Sequence, residues 1–421
     1  MIHLLQKPVY NRSLLLSIIV TLFIFSGCEE SVPNGESPES IRDHVTWLAD
    51  DAREGRLAGS PQEAEAANYI ADQFLYSGLI PAGDEGTYFQ QFVLEGPMPQ
   101  AMGIENHVSR NVVGLIEGSE YPDQYIVIGA HYDSQGMGGM ISMSEDEESA
   151  IHNGADDNAS GTTGLIWLAD QLSDYQPQKS LLFVAFSGEE LGLLGSRYFV
   201  NNMEMETDQI TAMLDFDMIG RLSDGELTIF GTGTSEVWPE ILDSISADSL
   251  TINRSESGSG ASDHQSFYEA DIPVLHYFTG IHDDYHRETD TADKINYLGM
   301  EWVLGHAKEL IQKLDGMAGG EISFDGSGES TESPQMFDGL TMGVLPDYTY
   351  SNGGFRVDGV REGEPAEVAG MERGDVIVYM AGTEISDIYD YMDALQTLES
   401  GQEITVRVIR DGEELELSVQ F

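Results

Sequence analysis

The chain has 421 residues and a formal net charge of −55, from 74 acidic residues against 19 lysines and arginines. A surface of this charge repels phosphate backbones and anionic lipid head groups, so the composition excludes a nucleic-acid-binding function. Hydrophobic residues make up 41% of the chain, which is enough for packed cores, and the length favours two folded domains.

The first 28 residues have the pattern of an export signal. Lys7 and Arg12 precede an apolar run over residues 14–25, which is short for a membrane span. The run ends in residues 25–28 (FSGC), which resemble the lipobox of bacterial lipoproteins. By that resemblance Cys28 is the lipid-anchored N-terminus of an exported protein, held at the outer membrane and facing the periplasm or the surface. Ordinary cleavage beside an incidental cysteine is the alternative, and the single cysteine excludes a disulfide within the chain.

Two polar segments rich in Gly, Ser, Pro and Glu divide the rest of the chain. They span residues 29–39 and 316–336 and have the composition of linkers. We therefore expect folded domains at residues 40–315 and 337–421.

Apolar runs alternate with amphipathic stretches in the first of these domains. Strands are predicted at residues 124–130, 180–186, 210–216 and 272–278, and helices at residues 161–173 and 191–201. Helices between buried strands predict an α/β fold with a mostly parallel central sheet sandwiched by helices. In such sheets, functional groups gather beyond the carboxyl ends of the strands.

Polar residues that bind metals follow each predicted strand. Acidic residues alone carry little weight because about one position in six is acidic, but the chain has only 10 histidines. Oxygen and nitrogen ligands converging from separate strands predict a metal site. The candidates are His131, Asp133, Asp156, Glu189, Glu190, Asp217 and His286.

Several motifs resemble, in order, those of the M28 family of zinc peptidases. They are residues 47–60 (WLADDAREGRLAGS), 130–134 (AHYDS), 154–161 (GADDNASG), 186–196 (FSGEELGLLGS), 214–220 (LDFDMIG), 262–267 (SDHQSF) and 285–291 (YHRETDT). The resemblance covers about residues 40–315. It implies the zinc-exopeptidase fold, a cofactor of two Zn²⁺ ions and a metallo-aminopeptidase that acts on peptide substrates.

The resemblance also implies a ligand set. His131 and Asp217 would hold one zinc ion, Glu190 and His286 the other, and Asp156 would bridge them. The bond between Asp156 and Asp157 is cis in relatives, so a cis bond is expected there.

Further roles are implied around the ligands. Glu189 would be the general base that acts on a metal-bound water, and Tyr285 would steady the developing oxyanion, unless its ring only packs. Asp133 would accept the second ring N–H of His131. Asp263 and His264 would line the substrate pocket or support the ligands from outside.

The C-terminal segment resembles a bacterial PDZ domain. The resemblance rests on residues 355–360 (FRVDGV), 363–370 (GEPAEVAG) and 373–378 (RGDVIV). Pro365 is expected to open a short helix and Gly370 to end it, and residues 404–419 predict a terminal hairpin. A PDZ domain would bind a peptide or a protein C-terminus by strand addition. A tail that only packs against the peptidase is the alternative.

Other functions remain open. A glutaminyl-cyclase-like transferase shares the fold but uses one zinc ion, and some relatives are carboxypeptidases. A non-catalytic lipoprotein that binds peptides through the PDZ domain is a third alternative. Residues 220–260 give no translatable specificity, and Ala261 stands where some relatives carry an arginine. The dispersed acidity favours a halophilic source, although a merely acidic protein is the simpler explanation.

Overall fold

The computed structural model describes residues 40–139, 142–144, 150–203, 205–247, 249–317, 322–326, 342–346, 353–360, 364–385, 390–391, 394–395, 398, 401–410 and 412–421. The predicted export signal, Cys28 and the first linker lie outside the described residues. Within the part of the chain that is described, no helix is both long enough and apolar enough to cross a bilayer.

Nine strands of the described residues form one sheet: β1 (Ile80–Pro81), β2 (Phe89–Val93), β3 (Val108–Ile116), β4 (Tyr121–His131), β5 (Lys179–Phe186), β6 (Ile210–Phe216), β7 (Glu226–Phe230), β8 (Thr251–Arg254) and β9 (Val274–Phe278). Their order is β1-β3-β5-β4-β6-β9-β7-β8, and β2 pairs with β3. Strands β5, β4, β6 and β9 run parallel, whereas β3 and β7 flank them in antiparallel pairings. The predicted α/β class is confirmed, and the parallel arrangement is concentrated in the four central strands.

The helices of this region are α1 (Ile41–Leu48), α2 (Pro61–Tyr76), α3 (Pro97–Ala101), α4 (Gly161–Leu172), α5 (Leu194–Asn202), α6 (Trp238–Asp243), α7 (His264–Tyr268) and α8 (Tyr297–Gly316). Strand β5 has apolar side chains on both faces of the sheet, so helices pack against both faces. Leu181, Phe183 and Ala185 pack into one buried cluster with α1, α2, α4 and α8. Leu182, Val184 and Phe186 alternate with them and pack into a second cluster with α5 and α7. A strand buried on both faces reads as a continuous apolar run.

The predicted elements match the observed ones closely where hydrophobic periodicity is strong. Strand β6 has the predicted bounds, β4 extends to His131, and α4 ends one residue early. Helix α5 begins at Leu194, three residues later than predicted, because Gly192 and Leu193 have positive φ angles of 102° and 61°.

A buried lysine joins the end of α8 to the start of β5. The Lys179 ammonium group donates to the carbonyl oxygens of Leu314, Asp315 and Met317, at 3.1, 2.9 and 2.5 Å. Carbonyl groups at the C-terminal end of a helix lack the N–H partners of a following turn, and a cation beside that end is favourable.

The described C-terminal residues form a separate sheet of β10 (Val344–Pro346), β11 (Phe355–Val360), β12 (Val376–Met380), β13 (Thr383–Glu384), β14 (Glu403–Arg410) and β15 (Glu413–Gln420), with α9 at Pro365–Val368. Pro365 opens the short helix, Gly370 follows it with a φ of 82°, and β14 pairs with β15 as the predicted hairpin. This sheet has its own apolar core. The boundaries 40–315 and 337–421 stay a prediction.

Candidate metal centre

The carboxyl ends of the parallel strands bring the candidate ligands to one edge of the sheet. His131 is the last residue of β4, and Asp217 directly follows β6. Glu190 lies in the turn after β5, and His286 lies in the loop after β9. Residues far apart in sequence therefore meet beyond the strand ends, as expected for a parallel sheet.

Two groups of donor atoms share the carboxylate of Asp157. His131 Nε2 lies 3.3 Å from Asp217 Oδ1 and 3.4 Å from Asp157 Oδ1. His286 Nε2 lies 3.2 Å from Asp157 Oδ2 and 3.5 Å from Glu190 Oε2. Each oxygen of Asp157 thus faces one histidine, which is the arrangement of a carboxylate that bridges two metal ions.

Asp156, which the sequence predicted as the bridge, faces elsewhere. Its Oδ2 lies 3.1 Å from Nε2 of His282, and its Oδ1 accepts the backbone N–H of Gly220 at 2.6 Å. The cis peptide bond lies between Asp157 and Asn158, also one position later than expected. The expected position of the cis bond was therefore wrong by one residue, and the structure has Asp157 rather than Asp156 in both groups of donor atoms. Residues 155–160 form a π-helical turn that directs neighbouring side chains differently, and the sequence Asp-Asp does not reveal which carboxylate faces the cleft.

The buried charged groups at this edge of the sheet suit the binding of a metal cation. His131 Nε2, Glu190 Oε1 and Asp217 Oδ1 are buried and have no hydrogen-bond partner among the described residues. Burial raises the pKa of Glu190 to about 8, and Asp157 adds to the effect. Burial lowers the pKa of His131, but Asp217 and Glu189 more than reverse this and raise it well above its ordinary value. Two buried carboxylate oxygens and one imidazole nitrogen without hydrogen-bond partners suit metal coordination, and this mixture of oxygen and nitrogen donors fits zinc.

Comparison with known proteins identifies this region. Residues 111–307 match the sequence profile of peptidase family M28, and residues 339–421 match that of the PDZ domain. The chain carries an M28 peptidase domain and a PDZ domain. Its helices and strands have the zinc-aminopeptidase fold that the motifs implied.

Two relatives with catalytic names match this chain in part. Leucine aminopeptidase 2 of Trichophyton rubrum is 25% identical over 250 residues, which cover 56% of this chain and 46% of that protein. Aminopeptidase YwaD of Bacillus subtilis is 28% identical over 207 residues, 45% of this chain and 41% of that protein. The chain spans less than half the length of these two curated relatives.

Solved structures share the fold at low sequence identity. A zinc aminopeptidase from Bacillus subtilis aligns with a TM-score of 0.53 and 17% identity over 69% of this chain and 98% of its own. A Zn-dependent exopeptidase from Parabacteroides distasonis aligns with a TM-score of 0.54 and 16% identity, over 66% of this chain and 98% of its own. Porphyromonas gingivalis glutaminyl cyclase aligns with a TM-score of 0.51 and 16% identity, over 66% of this chain and 98% of its own. These likenesses show the fold alone.

In the M28 domain, Glu189 lies beside the ligands but in neither ligand group. Its Oε2 is 3.9 Å from His131 Nε2, and its backbone N–H donates to Asp133 Oδ1 at 3.2 Å. Burial raises the pKa of Glu189 well above its ordinary value, and the neighbouring carboxylates of Glu190 and Asp217 add to this. A carboxylate with a raised pKa is a stronger base than an exposed one, which suits it to accept a proton and to return it.

Asp133 supports this edge differently from the expectation. His131 Nδ1 lies 3.3 Å from the backbone carbonyl oxygen of Asp133 but 3.8 Å from its carboxylate. The ring N–H therefore donates to the carbonyl rather than to the carboxylate, which instead accepts the amide of Glu189. Burial raises the pKa of Asp133 to about 6.

The remaining predicted residues surround the ligands. The Tyr285 ring stacks on His286 with centroids 3.9 Å apart. Asp263 is fully buried, and burial together with Asp215 raises its pKa well above its ordinary value.

His264 belongs to a buried pair of histidines on Asp215. The Nδ1 atoms of His264 and His276 lie 3.1 and 3.0 Å from Asp215 Oδ2. The two rings stack 4.4 Å apart at an interplanar angle of 15°. Near-parallel rings cannot both hold one ion in their planes, so this is a hydrogen-bonded group rather than a third ligand set.

Asp290 holds the turn that carries Asp157 and was not singled out from the sequence. Its Oδ2 accepts the backbone N–H groups of Asp156 and Asp157 at 2.9 and 3.0 Å. It lies in the segment 285–291 that carried the family resemblance, and that membership was the available signal. Asn158 adds to the support by donating to the carbonyl oxygen of Phe216 at 2.9 Å.

Proposed function

We propose that this protein is a two-zinc aminopeptidase that removes single residues from peptide N-termini. The observation that carries the proposal is the position of Asp157, with one carboxylate oxygen facing each of the two histidines. The names of the relatives, leucine aminopeptidase and aminopeptidase, support an exopeptidase.

The residues divide into two ligand groups with one shared member. His131 and Asp217 would hold one zinc ion, Glu190 and His286 the other, and Asp157 both. Zinc supplies Lewis-acid polarisation of the scissile carbonyl and lowers the pKa of water.

Glu189 carries the proton in this proposal. Its carboxylate is outside both ligand groups and is free to accept the proton of the attacking water as the oxygen adds to the scissile carbonyl carbon. It then returns that proton to the amine nitrogen as the carbon–nitrogen bond breaks. Tyr285, stacked on His286, is proposed to donate its hydroxyl to the developing oxyanion.

Glutaminyl cyclase is the second candidate, because a solved cyclase shares the fold. The two functions differ in metal content and product. Two complete ligand groups favour hydrolysis over cyclisation, since a glutaminyl cyclase would need only one zinc ion.

The test is a peptide panel with zinc counted by elemental analysis. The full chain would be given peptides with free, acetylated and glutaminyl N-termini, at low and high salt. We expect about two zinc ions per chain and release of the first residue from free N-termini alone. Cyclisation of glutaminyl peptides with one zinc ion would establish the cyclase instead. Bound zinc with no reaction would leave the non-catalytic PDZ lipoprotein, and release of C-terminal residues would establish a carboxypeptidase.

The flanking segments have proposals of their own. Lipid attachment at Cys28 would hold the protein at the outer membrane, and mass spectrometry of the mature N-terminal peptide tests it. The PDZ domain would bind a peptide C-terminus, and amidating that terminus should abolish binding. A halophilic origin predicts activity retained at molar salt.

A further inference from the structure

Arg56 is a fully buried arginine that lies before the segment matching the M28 profile. Its guanidinium group makes four hydrogen bonds, all to backbone carbonyl oxygens. Nε donates to Tyr132 at 2.9 Å, and Nη1 donates to Leu48 and Asn153 at 2.6 and 2.7 Å. Nη2 donates to Gly154 at 3.1 Å.

Three of these four carbonyls belong to the two chain segments that carry His131 and Asp157. Tyr132 directly follows His131, and Gly154 lies three positions before Asp157. The bonds therefore join the end of β4 to the turn that presents Asp157, and the bond to Leu48 ties both to α1. A planar guanidinium with donors in a fixed fork sets the spacing of several acceptors at once, which a lysine ammonium does not.

The backbone around Arg56 lies against the same segments. Gly55 has a φ of 68°, and a Cβ there would lie 2.4 Å from the Gly136 carbonyl oxygen and 2.5 Å from that of His152. The N–H of Gly136 donates to the Gly55 carbonyl at 2.9 Å. The close approach that permits the Arg56 contacts therefore requires glycine at position 55.

Arg56 also places positive charge beside the carboxylates. Burial lowers its pKa to about 10, partly offset by Asp133 and Asp290, so the side chain stays charged at neutral pH. Charge and geometry have opposite consequences for metal binding. A cation near the site repels zinc, whereas a brace between the ligand segments favours zinc by holding His131 and Asp157 at the required separation.

We propose that Arg56 is a positioning residue for the metal centre, which sets zinc affinity by fixing the His131 segment against the Asp157 turn. The inference rests on the proposed function, because it takes these residues to be zinc ligands. It extends the functional unit of the peptidase to the N-terminal segment 40–60, outside the residues that match the family profile.

The test compares Arg56→Lys and Arg56→Met with matched variants of Arg53. Arg53 lies in the same short segment but donates to Trp47 and Glu65 rather than to the ligand segments. Zinc affinity would be measured by chelator competition, and the free energy of unfolding of each metal-free variant by urea titration. We expect both Arg56 variants to bind zinc about 10-fold to 100-fold more weakly, and both Arg53 variants to match the wild type.

Each other outcome overturns the proposal in a different way. Tighter binding by Arg56→Met with wild-type binding by Arg56→Lys would assign Arg56 a charge effect alone. Lower stability with unchanged zinc affinity would make it a structural residue only. If Arg56→Met does not fold, hydrogen exchange at residues 131–135 and 153–158 in Arg56→Lys must show faster exchange than in wild type. A wild-type protein that binds no zinc would overturn the proposed function as well, whereas equal binding by wild type and variants would overturn this inference alone.

Discussion

Asp156 is buried beside the partly buried His282, with Asp156 Oδ2 3.1 Å from His282 Nε2. The next residue in the chain, Asp157, faces His131 and His286 instead. Two adjacent carboxylates therefore have separate tasks: one supports the loop around His282, and the other belongs to both ligand groups.

Exchanging each of these carboxylates for an amide should separate the two tasks. We expect Asp157→Asn to weaken zinc binding at least about 10-fold and to reduce activity with it, because both ligand groups lose a charged oxygen donor. Asp156→Asn is the matched control and should keep its zinc content, since Asp156 is in neither group. Elemental analysis after dialysis checks both. Loss of zinc in Asp156→Asn alone would restore the assignment made from sequence.

Asp156 and Asp157 also show how much of the candidate site can be predicted from the sequence. Strands β4, β5, β6 and β9 can be predicted from the sequence because each is an apolar run. Since these strands run parallel, the polar residues that follow them lie close together at one edge of the sheet. The choice between Asp156 and Asp157 depends on backbone dihedrals within one turn, which no residue pattern encodes.

The contacts of Arg56 could not be predicted from the sequence, for a different reason. The side chain bonds only to backbone carbonyls, and a carbonyl acceptor leaves no signature in the residue types it belongs to. Asp290 is hidden in the same way, because it accepts from backbone amides.

Glu189→Gln should separate proton transfer from metal binding. The amide preserves the shape of the side chain but cannot accept a proton, so we expect kcat to fall by about 100-fold to 10,000-fold. Zinc content should not change, because Glu189 lies outside both ligand groups. Glu190→Gln is the comparison and should bind less zinc. Parallel kinetics and elemental analysis give the answer, and retained kcat in Glu189→Gln would remove Glu189 from the proposed mechanism.

Lys179→Met should destabilise the M28 domain without changing its chemistry. The variant leaves the carbonyls of Leu314, Asp315 and Met317 without their buried donor. We expect the free energy of unfolding to fall by about 2–3 kcal/mol, the cost of unsatisfied buried polar groups. Lys313→Met, near the same helix end, removes only a partly exposed pair with Glu309 and should change stability by less than about 0.5 kcal/mol. Urea titration of both variants decides whether the contact is structural, and equal stabilities would contradict the prediction.

His306 should make the stability of the M28 domain depend on pH below neutrality. Its Nδ1 lies 3.0 Å from the hydroxyl of Tyr277 in the core, and burial, with a smaller contribution from Arg254, lowers its pKa to about 4. The unfolded chain takes up a proton on this histidine once the pH falls below about 6.5, whereas the folded chain resists until about pH 4. Protonation thus stabilises the unfolded state across this window, and the free energy of unfolding falls as the pH drops.

The comparison that isolates this effect is the difference between wild type and His306→Gln. Carboxylates titrate in both proteins, so they contribute equally and cancel. We expect wild type to lose up to about 3 kcal/mol more than His306→Gln between pH 7.5 and pH 4.5. His107→Gln removes an exposed histidine and should follow the wild-type curve. Urea titrations at several pH values measure each curve, and parallel curves for wild type and His306→Gln would show that His306 titrates alike in the folded and unfolded chains.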